Sequence, residues 1–270
     1  MSSYFVTGVS RGIGFEFLRQ LSSDPAKTVI GLVRNKPATD AKVAALNRTN
    51  IHILEGDLTD YESLKRAASA TSKITGGSLD YLIANAASIP LWSYFDGMGA
   101  LGSKDPVALE KDLLDAYKTN IIGNVHLFNL FLPLILKGEK KKVIAISSGM
   151  ADIELITKYD LEIGGPYAVS KAGANAVVAK YSAEYAKDGV LFISICPGVV
   201  DTGNSGTLTE EQLQKIGVMM GKFAQYAPNF KGPATPEESV KALISVYEKA
   251  SVAGGDGGAF VSHFGNKQWL

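Results

Sequence analysis

Tyr167 and Lys171 stand four residues apart in GGPYAVSKAGA, residues 164–174, among neighbours trimmed to Gly, Ala and Ser. On a helix that spacing puts both side chains on one face. A free phenol has a pKa of roughly 10 and is a sluggish acid at neutral pH. An ammonium beside it favours the phenolate and brings the phenol toward the range of general acid–base catalysis. The small neighbours Ala168, Ser170, Ala172, Gly173 and Ala174 let a ligand or a second helix come close. Tyr-x-x-x-Lys also occurs on ordinary solvated helices, so the pair takes its meaning from its company.

That company includes Ser147 and Ser148, which end the apolar run KKVIAISS. A hydroxyl there can donate to a carbonyl oxygen that becomes negative during reduction. Ser148 is assigned to this role, leaving Ser147 to the turn. Asn120, in KTNIIG, is a poor helix former inside a long helical pattern. Its amide either holds a water or satisfies a bent backbone.

A second constellation lies at the start of the chain. YFVTGVSRGIGFEF reads as strand, turn and helix, with Gly8, Gly12 and Gly14 at the turn. Glycines there allow a tight bend and close backbone approach to a pyrophosphate, which the N–H groups of the helix start can hold. The spacing is G-x-x-x-G-x-G, not G-x-G-x-x-G, so position in the chain carries more weight than pattern. NAD enzymes place an acidic residue about 20 residues further on, bonding the ribose hydroxyls. Here Arg34 occupies that place (34 − 14 = 20). A guanidinium clamps a 2′-phosphate that a carboxylate would repel, and Arg11 in the turn adds a second cation. Each arginine alone reads as a solvated surface residue; together they favour NADP(H). Asp57, in LEGDLTD, either accepts from an adenine amino group or caps the next helix.

The elements that must position these residues alternate along the chain. The strand-like runs are SYFVTG, TVIGLVR, NIHILEGD, LDYLIANA, KKVIAISS, VLFISICPG and GAFVSHF. Helical patterns separate them, one continuous from 105 to 137 and another from 165 to 187. Near-continuous apolar strands suit a parallel sheet buried on both faces. The expected fold is therefore α/β: a Rossmann-type, doubly wound, seven-stranded, mostly parallel sheet with helices on both faces. Thr59 and Glu62 can form a capping box, and Asp105-Pro106 suits a cap and first helical position. Such sheets bind ligands beyond the carboxyl ends of their strands, where every residue singled out above falls.

The 270 residues are 46% hydrophobic and 20% charged, with 27 basic and 27 acidic side chains. That balance gives no overall field toward nucleic acid or an anionic membrane. No linker composition divides the chain, so one domain over residues 1–270 is expected, with a substrate loop at about 199–235. The single cysteine, Cys196, excludes an internal disulfide and fits a reducing compartment. The start MSSYFVTG lacks a secretory pattern, and VHLFNLFLPLILKG is too short to span a bilayer. Cytoplasm is the expectation. His52, His126 and His263 show no ligand spacing, and no metal is expected.

Taken in order, TGVSRGIG, the Asp57 of GDLTD, NAAS at 85–88, Asn120, ISS, YAVSK and PGVVDT from 197 resemble the short-chain dehydrogenase/reductase family over nearly the whole chain. The closing GAFVSHFGNKQWL resembles, more loosely, sniffer-type carbonyl reductases and fungal ketoreductases. The resemblance implies Tyr167 as proton donor to a carbonyl, Lys171 as the group that lowers its pKa and holds the nicotinamide ribose, Ser148 as the carbonyl orienter and Asn120 as support for a water relay. It also implies cofactor contacts from Gly8, Ser10, Arg11, Gly12, Ile13 and Gly14, then Arg34, Asp57, Leu58 and Asn85. Further contacts are implied from Tyr167, Lys171, Pro197, Gly198, Val200 and Thr202. Two departures stand out. Ala87-Ser88 replaces the usual Ala-Gly, and Ser148 to Tyr167 spans 19 positions (167 − 148), the extra residues implying a projection at the rim.

These readings converge on NADPH-dependent reduction of a ketone or aldehyde. Three loops, at 88–104, 149–165 and 202–232, would surround the substrate. They supply Trp92, Tyr94, Phe95, Met98, Met150, Ile153, Met219, Met220, Phe223, Tyr226 and Phe230. An aromatic-lined cleft suits a bulky apolar or aromatic compound, although the same residues could simply pack their loops. The alternatives are an NAD-dependent alcohol dehydrogenase and a non-catalytic NADP(H)-sensing regulator. The small-residue helix after Tyr167 leaves a homodimer or homotetramer open.

Overall fold

The computed structural model describes residues 2–203 and 208–270; positions 204–207, within the substrate loop expected at 199–235, lie outside the described residues. Seven strands, β1 (Ser3–Thr7), β2 (Thr28–Val33), β3 (Ile51–Glu55), β4 (Tyr81–Ala84), β5 (Lys142–Ile146), β6 (Leu191–Cys196) and β7 (Phe260–Ser262), form one sheet in the order β3-β2-β1-β4-β5-β6-β7. Every neighbouring pair is parallel, in register from Phe5 opposite Ile30 to Ile195 opposite Val261. The sequence pattern called for a mostly parallel sheet. It is wholly so, because each crossover returns the chain to the same end.

Alternation along the strands sends Phe5, Leu82, Val143 and Phe192 to one face and Tyr4, Val6, Ile83 and Ile193 to the other. The first face is covered by α3 (Tyr61–Thr75), α6 (Gly123–Ile135) and α8 (Gly165–Tyr185) through Leu64, Phe128, Phe131 and Val178. The second is covered by α1 (Gly12–Leu21) and α10 (Pro236–Lys249) through Phe17, Leu18, Val240 and Leu243. The topology reverses between β1 and β4, which opens the crevice where such sheets bind ligands.

Helix starts follow side-chain chemistry. Asp105 accepts from the Ala108 N–H and Pro106 takes the first position of α5 (Pro106–Tyr117), as expected. The start of α3 differs. Thr59 does not cap it, because both its hydroxyl and its N–H donate to Asp57 Oδ1 at 2.8 Å. Asp60 becomes the cap, accepting from Glu62 and Ser63. Between α5 and α6 the chain passes through one π-helical turn, Lys118–Ile122, so the expected single helix carries a bulge at Asn120.

The three loops expected around the substrate each contain a helix: α4 (Met98–Lys104), α7 (Ile153–Lys158) and α9 (Glu210–Tyr226). A Thr209–Gln212 capping box starts α9. The short α2 (Lys36–Ala44), capped by Asn35, follows β2 and packs against the edge strand β3. No helix among the described residues is long and apolar enough to cross a membrane.

Candidate active site

A crevice of about 560 Å³ runs along the carboxyl ends of β1, β2, β4 and β5. At one end the chain turns at Gly8 (φ +75°) and Gly12 (φ +55°), backbone that L side chains avoid. A Cβ on Gly14 would stand 2.2 Å from the Gly8 carbonyl oxygen and 2.6 Å from Asn85 Nδ2. This glycine cradle is held from below. Asn85 Nδ2 donates to the Thr7 carbonyl at 2.9 Å, and Thr7 Oγ1 accepts from the N–H groups of Asn85 and Ala86. The cradle is thus rigid, backbone-lined and open to the crevice, as a pyrophosphate requires.

Ser10, Arg11, Gly12, Ile13, Arg34, Asp57, Leu58 and Asn85 all line this crevice with Gly8 and Gly14. Arg11 and Arg34 are exposed, so their charges are solvated and ready for an anion. One oxygen of Asp57 is occupied by Thr59, so this carboxylate fixes the turn before α3. Lys42, which the sequence did not single out, reaches from α2 to donate to the Ser10 carbonyl at 2.9 Å and adds a third cation beside the cradle.

The other end of the crevice holds Tyr167 and Lys171, from the first turns of α8. Lys171 is buried, its Nζ donating to the Ile146 carbonyl at 2.7 Å and lying 5.8 Å from the centre of the Tyr167 ring. Burial pulls the Lys171 ammonium down to about 8. Burial also pushes the Tyr167 phenol well above its usual value, reinforced by Tyr94 and Cys196, while the Ser148 hydroxyl, a donor to it, pulls the other way. The expected lowering of the phenol by Lys171 is therefore not what these residues alone produce. The ammonium lies toward the ring and hydrogen-bonds the Ile146 carbonyl, and desolvation is the largest influence on the phenol.

Ser148 stands beside Tyr167 but is not among the residues lining the crevice, which takes Ser147 instead. The Met150 N–H donates to the Ser148 Oγ at 3.2 Å, and the same hydroxyl counters the rise of the Tyr167 phenol. Ser147 lines the crevice and donates to Asn175 Oδ1 at 2.7 Å. Asn120 sits behind the crevice, fully buried. Its Oδ1 accepts from the Ser88 N–H at 2.8 Å, and its Nδ2 donates at 2.9 Å both to the Ser88 carbonyl and to Ser170 Oγ. Both ends of that amide serve protein groups, so the bent-backbone reading describes this side chain better than the water-holding one. Ala87 and Ser88 line the crevice without closing it.

Pro197 and Thr202 reach the crevice, Thr202 covering Gly12, where a Cβ would meet its methyl at 3.1 Å. Gly198 turns the chain (φ +79°) against the His263 ring, and Val200 bridges to Ala234 through its neighbours' backbone groups. Thr7, Ala86, Ile89 and Thr119 also line the crevice. Only their place after a strand or at the helix bulge could have flagged them.

The aromatic loops divide. Ile89 lines the crevice, and Leu91 and Trp92 are exposed a few residues on. Met219, Met220, Phe223, Tyr226 and Phe230 instead pack with Leu155, Leu161, Cys196 and Trp269 as a third core cluster. Phe95 and Met219 share a second cavity of about 150 Å³ with Asp96, Glu162, Lys215 and Lys222. The region is more charged than the expected apolar cleft.

Comparison with known proteins gives consistent findings. A family model for short chain dehydrogenases matches residues 3–213. The chain is 57% identical to the short chain dehydrogenase virK of Hypocrea virens and 50% identical to the short-chain dehydrogenase/reductase iacC of Pestalotiopsis fici, over 100% of each chain in both cases. The NADPH-bound carbonyl reductase from chicken fatty liver matches with a TM-score of 0.75 at 25% identity, over 98% of each chain. The carbonyl reductase Sniffer of D. melanogaster shares the fold, with a TM-score of 0.77 at 22% identity over 98% of each chain.

Proposed function

The chain belongs to the short-chain dehydrogenase family and is an oxidoreductase, and we propose that it is an NADPH-dependent carbonyl reductase in which Tyr167 donates the proton. The observation that carries this reading is the sharing of one crevice. The glycine cradle with Arg11 and Arg34 lies at one end, and Tyr167 and Lys171 lie at the other. The similar NADPH-bound carbonyl reductase supports the choice of cofactor and direction.

A bound NADPH supplies a hydride to the carbonyl carbon. The protein's part is to hold, orient and protonate. Gly8, Gly12 and Gly14 would receive the pyrophosphate, Arg11 and Arg34 the 2′-phosphate, and the Pro197–Thr202 segment the carboxamide end. Ser148 would donate to the substrate oxygen together with Tyr167, whose phenol then yields its proton as that oxygen becomes negative. A phenol kept protonated by burial suits a proton donor in this direction. Lys171, with its ammonium drawn down to about 8, is poised to return a proton to the phenolate. Ile89 lines the crevice, and Leu91 and Trp92 are exposed apolar residues that follow it closely in the chain, which favours a bulky apolar or aromatic carbonyl compound.

The test is a panel of aromatic ketones and aldehydes with NADPH or NADH. Tyr167→Phe should cut kcat by roughly 10²–10⁴-fold while leaving NADPH binding measurable. Arg34→Asp should reverse the NADPH preference. Equal use of both cofactors by the unaltered protein overturns the cofactor assignment. Tight NADPH binding without turnover of any carbonyl compound points to a sensing role.

A further inference from the structure

The penultimate residue of the chain is buried beside the site. Trp269 is 2% exposed, and it packs against Gly149, the residue after Ser148. A Cβ there would stand 2.9 Å from Trp269 Cβ and 3.1 Å from its Cγ. The indole stacks on Phe260 of β7 with centroids 4.3 Å apart and planes at 22°. Its Nε1 donates to Asp152 Oδ2 at 2.7 Å, while the other oxygen of Asp152 caps α7 through the Glu154 N–H. The Trp269 backbone N–H donates to the Tyr226 hydroxyl of α9 at 2.9 Å. The Gly149 N–H also donates to Cys196 Sγ at 3.0 Å, and Cys196 shares a core cluster with Trp269.

These contacts meet the single turn Gly149–Ala151, whose Met150 N–H donates to the Ser148 Oγ. The backbone that follows Ser148 therefore supplies a donor to its hydroxyl oxygen. We infer that Trp269 is a positioning residue, which holds the 149–152 turn in place and thereby sets the Ser148 hydroxyl against Tyr167. Through Tyr226 the same residue ties this turn to α9, so the substrate-side helix and the carbonyl-orienting serine share one anchor. Sequence spacing conceals the link, because Trp269 lies 117 positions from Asp152. The role of Ser148 in it rests on the proposed carbonyl reduction.

The experiment uses full-length Trp269→Phe, which keeps the stack on Phe260 and removes the N–H to Asp152, with Asp152→Ala as a second variant. A misplacement of about 1 Å in a reacting group can cost about 100-fold, so kcat should fall about 10- to 100-fold. The KM for NADPH should stay within about twofold, since the glycine cradle is untouched. Combined with Ser148→Ala, Trp269→Phe should add nothing further, because it acts through that serine. Amide hydrogen exchange over Gly149–Asp152 should quicken in both single variants while exchange in β1 and β4 does not. Wild-type kcat in Trp269→Phe, or a loss that multiplies with that of Ser148→Ala, overturns the inference. Should the unaltered protein reduce no carbonyl compound, the proposed reaction falls separately. Exchange then decides the anchoring alone, and unchanged exchange at Gly149–Asp152 overturns it.

Discussion

Lys171 is the residue at which burial and chemistry compete most openly. Its ammonium, ordinarily near 10.5, is drawn to about 8 in the folded chain. Between those values the unfolded chain holds a proton that the folded chain has released, so stability must rise with pH. Below about pH 8 both forms are protonated, and the cost of burying the charge is constant. Above pH 9 the Cys196 thiol opposes the rise, because burial holds it up to about 11 against an ordinary 9.0. The raised Tyr167 phenol joins that opposition above pH 10. The clear window is therefore pH 8 to 9. There the urea midpoint of the ligand-free protein should climb, and Lys171→Met should flatten the climb; a flat profile in the unaltered protein refutes the burial argument. The Tyr-x-x-x-Lys spacing and the Arg34 offset were legible because they are chemistry written at fixed intervals. The direction of the phenol's shift was not, since desolvation depends on what covers the ring. Cys196 and Trp269 lie at no telling interval from the site, and only contact shows that both meet Gly149.

At the scale of elements, alternating strands and helices were readable from β-branched runs and caps, and the sheet followed from them. What failed was the division of loops from helices. The amphipathic α9 carries a Thr209–Gln212 capping box that the sequence displays, yet its flanking glycines and aromatic residues disguised it as a substrate loop. The π turn at Lys118–Ile122 was foreshadowed only by an asparagine in a poor place. Its purpose is visible in the fold. Asn120 staples the bulge to the segment after β4 through Ser88, and to α8 through Ser170, whose Oγ in turn donates to the Tyr167 carbonyl at 2.7 Å. Removing that amide takes a partner from three groups, the part-buried Ser88 N–H and carbonyl and the buried Ser170 Oγ, at about 1–3 kcal/mol for each left unpaired and dry. Asn120→Ala should therefore lower unfolding stability by about 2–4 kcal/mol and weaken NADPH binding, because Ser88 lines the crevice. Chemical denaturation and cofactor titration measure the two effects. Unchanged stability would show the staple to be idle.

Across the whole molecule the sheet separates its tasks by end. The carboxyl ends of the strands carry the crevice, with open backbone, exposed arginines and glycines held at positive φ. The opposite end is knotted by polar groups that touch no part of it. Asp80, 6% exposed, accepts from the Ser3 N–H and hydroxyl through one oxygen and from the Glu139 and Lys140 N–H groups through the other. Glu248 accepts from the stacked Tyr4 and Tyr81 hydroxyls, and Lys142 donates to three carbonyls at the end of α10. Hydrogen bonds to a charged group contribute about 1.5–3 kcal/mol each, and losing the acceptor removes the partner of four part-buried donors. Asp80→Ala should therefore cost about 3 kcal/mol or more, read as a lower denaturation midpoint. At temperatures where the variant stays folded, its kcat/KM and NADPH preference should match those of the unaltered protein, because β1 and β4 still deliver Thr7 and Asn85 to the cradle in the same register. Arg34→Asp should do the reverse, changing cofactor choice while leaving the midpoint within about 0.5 kcal/mol, as expected for an exposed side chain. A fall in kcat/KM that tracks the stability loss of Asp80→Ala would mean that the two ends of the sheet are coupled and that strand register, not the local cradle, sets the reaction geometry.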